Sequence, residues 1–175
     1  ITEAARAVAY VTAAALDNAH HHPDAAARKR HQAFAELMIP IVKGHSTEMA
    51  QEITSLGVQV HGGMGYVEET GAAQHFRDAR IMTIYEGTTG IQANDFIGRK
   101  TARDGGAVAR AVAAEMEKVA QELAGHADTN LKVIGARLAD GIAHARAAAE
   151  WLVPAYGAKP RTAHVVAVPY MKLWG

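Results

Sequence analysis

The 175-residue chain contains no cysteine and no long run of apolar residues. Without cysteine it has no disulfide framework, no thiolate nucleophile and no cysteine-based metal site. This composition is compatible with a reducing compartment, and we expect a cytoplasmic protein. No apolar run approaches the ~20 residues needed to cross a bilayer, so no membrane span is predicted. The 18 acidic and 18 basic residues balance, so bulk charge indicates neither a nucleic-acid partner nor a membrane-surface partner.

Alternating β-branched residues are rare in this chain, whereas alanine is abundant and proline is scarce inside the periodic segments. This composition favours helices. We therefore predict an all-α fold, an antiparallel helical bundle with short connections. Helices are predicted over about residues 2–19, from about residue 24 with a kink or short break at Pro40, from Ser46 to about Val60, over residues 70–79, and from just after Glu86 to about Lys100.

The clearest boundary in the chain is Arg103-Asp104-Gly105-Gly106, where two adjacent glycines separate two helical patterns. We predict a helical bundle domain over residues 1–103 and an additional helical domain over residues 104–175. The first residues open inside an amphipathic helical pattern, and the last residues stop within another. We accordingly expect a part of a larger polypeptide in which both domains are truncated.

Glu86 is the first candidate for chemistry, because it lies between two predicted helices in the run Tyr85-Glu86-Gly87-Thr88. Gly87 permits a tight turn, and Thr88 can cap the helix that follows. One hypothesis is a general base, whose basicity would have to rise through burial near an apolar ligand before it could act on a C–H bond. The other is a solvated glutamate that stabilises the next helix through its dipole.

The run Gln59-Val60-His61-Gly62-Gly63 is the second candidate. It can be a helix C-terminus whose glycines supply the left-handed turn. Alternatively, its backbone amides and the Gln59 side chain approach a phosphate or nucleotide. It is not a dinucleotide fingerprint, because no strand precedes it and the glycine spacing differs.

The ten histidines do not predict a metal site. His20, His21 and His22 are adjacent, so on a helix they point in different directions. There is no HExxH pattern, and His61 and His75 have no acidic partner at ligand spacing.

Three motifs follow one another along the chain: Gln59–Tyr66, Phe76–Ile81 and Ile84–Thr88. In this order they are far more specific as a set than any one of them alone. Together they resemble the C-terminal helical domain of the acyl-CoA dehydrogenases, and the resemblance covers about residues 1–100. The run over residues 90–100 and the helical region beyond it resemble a larger bacterial subgroup with an added C-terminal domain, which includes 3-methylthiopropanoyl-CoA dehydrogenases.

The resemblance implies an FAD-dependent enzyme that oxidises the Cα–Cβ bond of an acyl-CoA substrate to a trans-2-enoyl-CoA, as in fatty acid β-oxidation. Glu86 matches the family's catalytic base, which removes the α-proton while the β-hydrogen leaves as hydride to the flavin. A cofactor contact is implied for Thr88 and for a segment that usually reaches the flavin nucleotide across a dimer interface: Gln59, Val60, His61, Gly62 and Gly63. Electron-transfer flavoprotein is the implied acceptor, and a homodimer is the implied assembly.

The sequence departs from the family pattern at two points, and two alternatives stay open. Gly90 stands where many relatives have glutamine, and the family's Arg-x-x-Phe-Gly flavin segment is absent. The Gly90 departure and the added helices motivate one alternative, a helical interaction module that kept the fold but lost the chemistry. An acyl-CoA oxidase, which passes electrons to oxygen, is the other.

Overall fold

The computed structural model describes all 175 residues, and the chain folds entirely into helices and their connections. The predicted all-α class is therefore confirmed. None of the helices is both long enough and apolar enough to cross a membrane. The α-helices are α1 Thr2–His21, α2 Ala25–Val60, α3 Gly63–Tyr66, α4 Ala72–Met82, α5 Thr89–Asp95, α6 Ala107–Ala124, α7 Thr129–Ala158, α8 Pro160–Val165 and α9 Ala167–Trp174, with a 3₁₀ turn at Glu68–Thr70 and a π-helical segment at Phe96–Ala102.

Helix α2 is the longest element, and the predicted break at Pro40 and new helix at Ser46 were both wrong. The helix runs for 36 residues through Pro40, whose side chain is fully buried. At the position of the expected new start, the Thr47 hydroxyl donates to the Lys43 carbonyl inside the helix. An interior proline costs about 3 kcal/mol or more. Packing of α1, α4, α5 and α9 against α2 outweighs that cost.

The start of α2 is set by Asp24. Its carboxylate accepts hydrogen bonds from the backbone N–H groups of Ala26 and Ala27, at 3.0 and 3.1 Å. These bonds satisfy two of the free donors at the helix N-terminus. They also lower the pKa of Asp24, because they favour the charged carboxylate.

The largest apolar core joins residues from both sides of position 103. Phe96 and Ile97, on the π-helical segment, are fully buried against residues of α7 and α9 such as Leu152 and Met171. The Phe96 and Tyr170 rings lie 5.2 Å apart. The division into domains at residue 103 stays a prediction, and across it the structure has one continuous core.

Helix α2 also positions the candidate site. Helices α4 and α5 both pack against it, and the turn over residues 83–88 connects them. The glycine-rich run begins with the last two residues of α2 and continues beyond its C-terminal end. Both candidate segments are thus located by the same helix.

Helices α6 and α7 approach closely at Gly135. A Cβ atom there would lie 2.8 Å from Leu123 Cβ and 2.9 Å from the Ala120 carbonyl oxygen, so the backbones would have to move apart. Gly141, on the same helix, has open space at the same position. Gly135 and Gly141 therefore differ in packing and not in helical context.

We expect Gly135→Ala to lower the stability of the chain and Gly141→Ala to raise it. Overpacking costs about 1–3 kcal/mol, which exceeds the gain of about 1 kcal/mol from replacing a helical glycine with alanine. Urea unfolding followed by circular dichroism measures both variants. Equal shifts of the two midpoints would contradict the close approach of α6 and α7.

Candidate functional site

The backbone at Glu86 has an unusual conformation. Glu86 has φ 52°, and it is the one non-glycine residue of the chain with a positive φ. Gly87 follows with φ 94°. A left-handed conformation costs a non-glycine residue roughly 1–2 kcal/mol, and it persists where the surrounding structure imposes it. Contacts from the surrounding structure must therefore hold Glu86 in this conformation.

A lysine from α2 contacts the backbone on both sides of Glu86. Lys43 Nζ donates to the Met82 carbonyl at 2.6 Å and to the Gly87 carbonyl at 3.0 Å. The same ammonium lies 5.4 Å from the centre of the Tyr85 ring, within the range of a cation–π interaction. One side chain thus joins the end of α4 to the residue after Glu86.

Helix α5 holds the other side of the turn. As predicted, Thr88 caps this helix, because its hydroxyl oxygen accepts from the Ile91 N–H at 3.4 Å. Gln92 Nε2 donates to the Glu86 carbonyl at 3.2 Å. The Thr89 hydroxyl donates to a carboxylate oxygen of Glu48 at 2.6 Å, which ties the start of α5 to α2.

Glu86 is exposed in this chain, and so is Thr88. Several apolar side chains near them in sequence are also exposed: Ile81, Met82, Ile84, Tyr85 and Ile91. The chain by itself therefore does not enclose the carboxylate. It presents Glu86 on a segment that contains apolar side chains, on which an apolar ligand or another protein surface can pack.

The glycine-rich run forms the exposed end of α2. All of its residues are exposed: Gln59, Val60, His61, Gly62 and Gly63. His61 Nδ1 lies 2.9 Å from the Gly57 carbonyl, which can only accept, so Nδ1 carries the proton. Gly62 has φ 62°, and Cβ atoms at Gly62 and Gly63 would meet nothing within 4 Å. This run is both a helix terminus and an open polar surface.

A cavity of about 460 Å³ lies beside this end of α2. Val58, Gln59 and Phe76 are among its lining residues. Arg77, also on its wall, forms a two-point ion pair with Glu68 at 2.8 and 2.6 Å. The Phe76–Ile81 motif thus contributes to a concave surface next to the glycine-rich run.

The structure does not bring the two candidate segments together within one chain. Lys43, which contacts the Glu86 turn, and Gln59 belong to the same uninterrupted helix, sixteen residues apart. At 1.5 Å per residue, they are about 24 Å apart along the helix axis. Glu86 and the glycine-rich run are therefore parts of separate surfaces.

Sequence reasoning missed three side chains that hold the turn, namely Lys43, Glu48 and Gln92. Lys43 and Glu48 are far in the chain from the residues that they contact. Gln92 is close to Glu86 in the chain, but its local sequence pattern is ordinary. The one feature of the sequence that could have indicated Lys43 is its position between the apolar Ile41-Val42 and the small Gly44. No group of three or more His, Asp or Glu side chains is arranged to hold a metal ion.

Comparison with known protein families gives one match over more than half of the chain. The sequence model described as "Acyl-CoA dehydrogenase, C-terminal domain" matches residues 1–101. The matched region contains both candidate segments.

Several named proteins are similar to this chain over part or all of its length. The 3-methylmercaptopropionyl-CoA dehydrogenase of Ruegeria pomeroyi is 47% identical over 175 residues, which is 100% of this chain and 29% of the relative. A butyryl-CoA dehydrogenase of Syntrophomonas wolfei is 39% identical over 101 residues, 58% of this chain and 17% of the relative. The caffeyl-CoA reductase–Etf complex subunit CarC of Acetobacterium woodii is 33% identical over 90 residues, 51% of this chain and 20% of the relative. The chain spans less than a third of the length of each.

We expect Gly87→Ala to destabilise the turn, while Gly90→Ala leaves it intact. At Gly87 the positive φ and a Cβ only 2.9 Å from Gln92 Nε2 strain any larger residue, at a cost of about 1–3 kcal/mol. At Gly90, within α5, the nearest atom is 3.9 Å away, and alanine gains up to about 1 kcal/mol. Urea unfolding and amide hydrogen exchange over residues 83–88 measure the difference. A stable, protected turn in Gly87→Ala would contradict the left-handed geometry.

Proposed function

Because this chain belongs to the acyl-CoA dehydrogenase family, we propose that it provides the base and part of the flavin contact of an FAD-dependent acyl-CoA dehydrogenase. The proposed reaction is α,β-dehydrogenation of an acyl-CoA thioester to a trans-2-enoyl-CoA. Glu86 is the proposed base. The activity is assigned to the whole enzyme, because the chain spans only part of its relatives' length.

The observation that supports Glu86 most directly is its backbone conformation. Its left-handed φ is unfavourable for glutamate, yet hydrogen bonds from Lys43 and Gln92 hold the carbonyls on and beside it. Strain that is imposed by surrounding contacts is typical of functional positions. A glutamate that served only to stabilise the next helix would not need this geometry, since Thr88 already caps α5.

In the proposed reaction, the Glu86 carboxylate takes the α-proton of the thioester. The exposed apolar side chains near it, among them Ile84 and Tyr85, would pack against the bound acyl chain and exclude water. Loss of water from the carboxylate favours its protonated form and so increases its strength as a base. Bound FAD would supply the acceptor for the β-hydrogen, which leaves as hydride.

The exposed end of α2 has the chemistry that a flavin nucleotide requires. The Gln59 amide provides both donors and acceptors, and the backbone at Gly62 and Gly63 is open to a close approach. We assign this contact to Gln59, Val60, His61, Gly62 and Gly63, with Thr88 as a second contact beside the base.

The separation of the two segments supports a homodimer. About 24 Å of α2 lies between Lys43, which holds the Glu86 turn, and Gln59, so the two segments would contact well-separated parts of a cofactor or two different cofactors. We propose that Glu86 and Thr88 serve one active site and that the glycine-rich run reaches the cofactor of the partner subunit.

The substrate class is an acyl-CoA, and the acceptor is electron-transfer flavoprotein. The Ruegeria relative matches all of residues 1–175, including the region beyond residue 101, so 3-methylmercaptopropionyl-CoA is the first substrate to test, with butyryl-CoA beside it. One relative's name places it in an Etf complex, which supports the proposed acceptor.

We expect Glu86→Gln in the full-length enzyme to keep its flavin but to lose substrate-dependent flavin bleaching. Glutamine is similar in shape but cannot take a proton, and a general base contributes about 10²- to 10⁴-fold to the rate. Anaerobic stopped-flow absorbance measures the reduction. Glu150→Gln, an exposed glutamate on α7, is the matched control. Bleaching by Glu86→Gln at the rate of the control would exclude Glu86 as the base.

The two alternatives give different results in the same preparation. An interaction module without chemistry would purify colourless and remain so after FAD is added. An oxidase would form hydrogen peroxide during turnover without an added acceptor. A yellow enzyme that an acyl-CoA bleaches, and that forms little peroxide, supports the dehydrogenase.

A further inference from the structure

We infer that Lys43 is a positioning residue that sets the orientation of Glu86 through the backbone, an inference that rests on the proposed role of Glu86 as base. The lysine belongs to α2, far from the turn in the chain, and nothing in the local sequence of the turn requires it. Its ammonium nevertheless donates to carbonyls on both sides of the glutamate.

The two bonds fix the two ends of the turn. Met82 is the last residue of α4, whose C-terminal carbonyls have no partner within the helix, and a positive charge there is favoured by the helix dipole. The Gly87 carbonyl follows Glu86 directly. With Lys43 Nζ at 2.6 and 3.0 Å from these two oxygens, residues 83–86 are held between two points.

Lysine suits this position because its ammonium combines a charge with three donors on a long stem. Two donors are used on the carbonyls, and the charge also lies 5.4 Å from the centre of the Tyr85 ring. Hydrogen bonds from an ionised donor are about twice as strong as neutral ones. Lys43 is partly buried, so water competes for these bonds less than it would at an exposed site.

By holding the backbone of the turn, Lys43 also fixes the position of the Glu86 carboxylate. The direction of the Glu86 side chain depends on its φ, which is held at 52° against the intrinsic preference of the residue. If the Gly87 carbonyl is released, Glu86 can relax to an ordinary backbone conformation, and its carboxylate then moves. A displacement of about 1 Å of a reacting group can cost about 100-fold in rate.

The test is a double-mutant cycle in the full-length holoenzyme, with Lys43→Met, Glu86→Gln and the double variant. We expect Lys43→Met to slow substrate-dependent flavin reduction by about 10- to 100-fold, with flavin content and KM within about twofold of the unmodified enzyme. Because Lys43 acts through Glu86, Lys43→Met should not slow the reaction further in the Glu86→Gln background.

Two further variants complete the design. Lys43→Arg keeps the charge and the donors and should recover part of the rate. Lys132→Met, an exposed lysine on α7, should have no effect. Amide hydrogen exchange provides a readout independent of turnover, and exchange over residues 83–88 should be faster in Lys43→Met than in Lys132→Met.

Each outcome decides the inference. Full additivity of the two substitutions, or an unchanged rate in Lys43→Met, would overturn it while leaving the base assignment standing. Loss of flavin or of folding in both Lys43→Met and Lys43→Arg would also overturn it, because the lysine would then be a general structural residue. Normal reduction by Glu86→Gln would instead contradict the proposed function itself.

Discussion

The continuity of helix α2 is the constraint on which the rest of the structure depends. Its 36 residues pass through a buried proline without a break, so residues along it keep the fixed rise of an α-helix. Lys43 and Glu48 hold the Glu86 turn and the start of α5 to this helix, and Gln59 marks its far end. The distance between the two candidate surfaces therefore follows from the geometry of one element.

At the Glu86 turn, an unfavourable local conformation is combined with favourable contacts from elsewhere. A left-handed glutamate costs roughly 1–2 kcal/mol, whereas a hydrogen bond from a charged group contributes about 1.5–3 kcal/mol. The two bonds from Lys43 are thus sufficient to offset the strain. The turn is stable because α2 and α4 pack together, and that packing brings the ammonium within reach.

The region beyond residue 103 stabilises the helices that hold the Glu86 turn. Phe96 and Ile97, just after α5, are buried with Leu152 and Met171 in the same core. Helix α9 contacts both α2 and α5. The C-terminal helices thus stabilise the segment that follows Thr88, although they contribute no residue to the proposed site. The Ruegeria relative, which matches the entire chain, shares this region. The match to the model of the acyl-CoA dehydrogenase C-terminal domain, by contrast, ends at residue 101.

The sequence by itself determined the helical class, the cap at Thr88, the turn at Gly87 and, through three spaced motifs, the family. These features depend on composition, local hydrogen bonding and short-range order, all of which a single segment contains. Only the tertiary structure decided that α2 continues through Pro40, that Lys43 holds the Glu86 turn and that Glu86 and Gln59 belong to separate surfaces. Those features arise from packing between residues distant in the chain, where burial outweighs the local preference of proline to interrupt a helix.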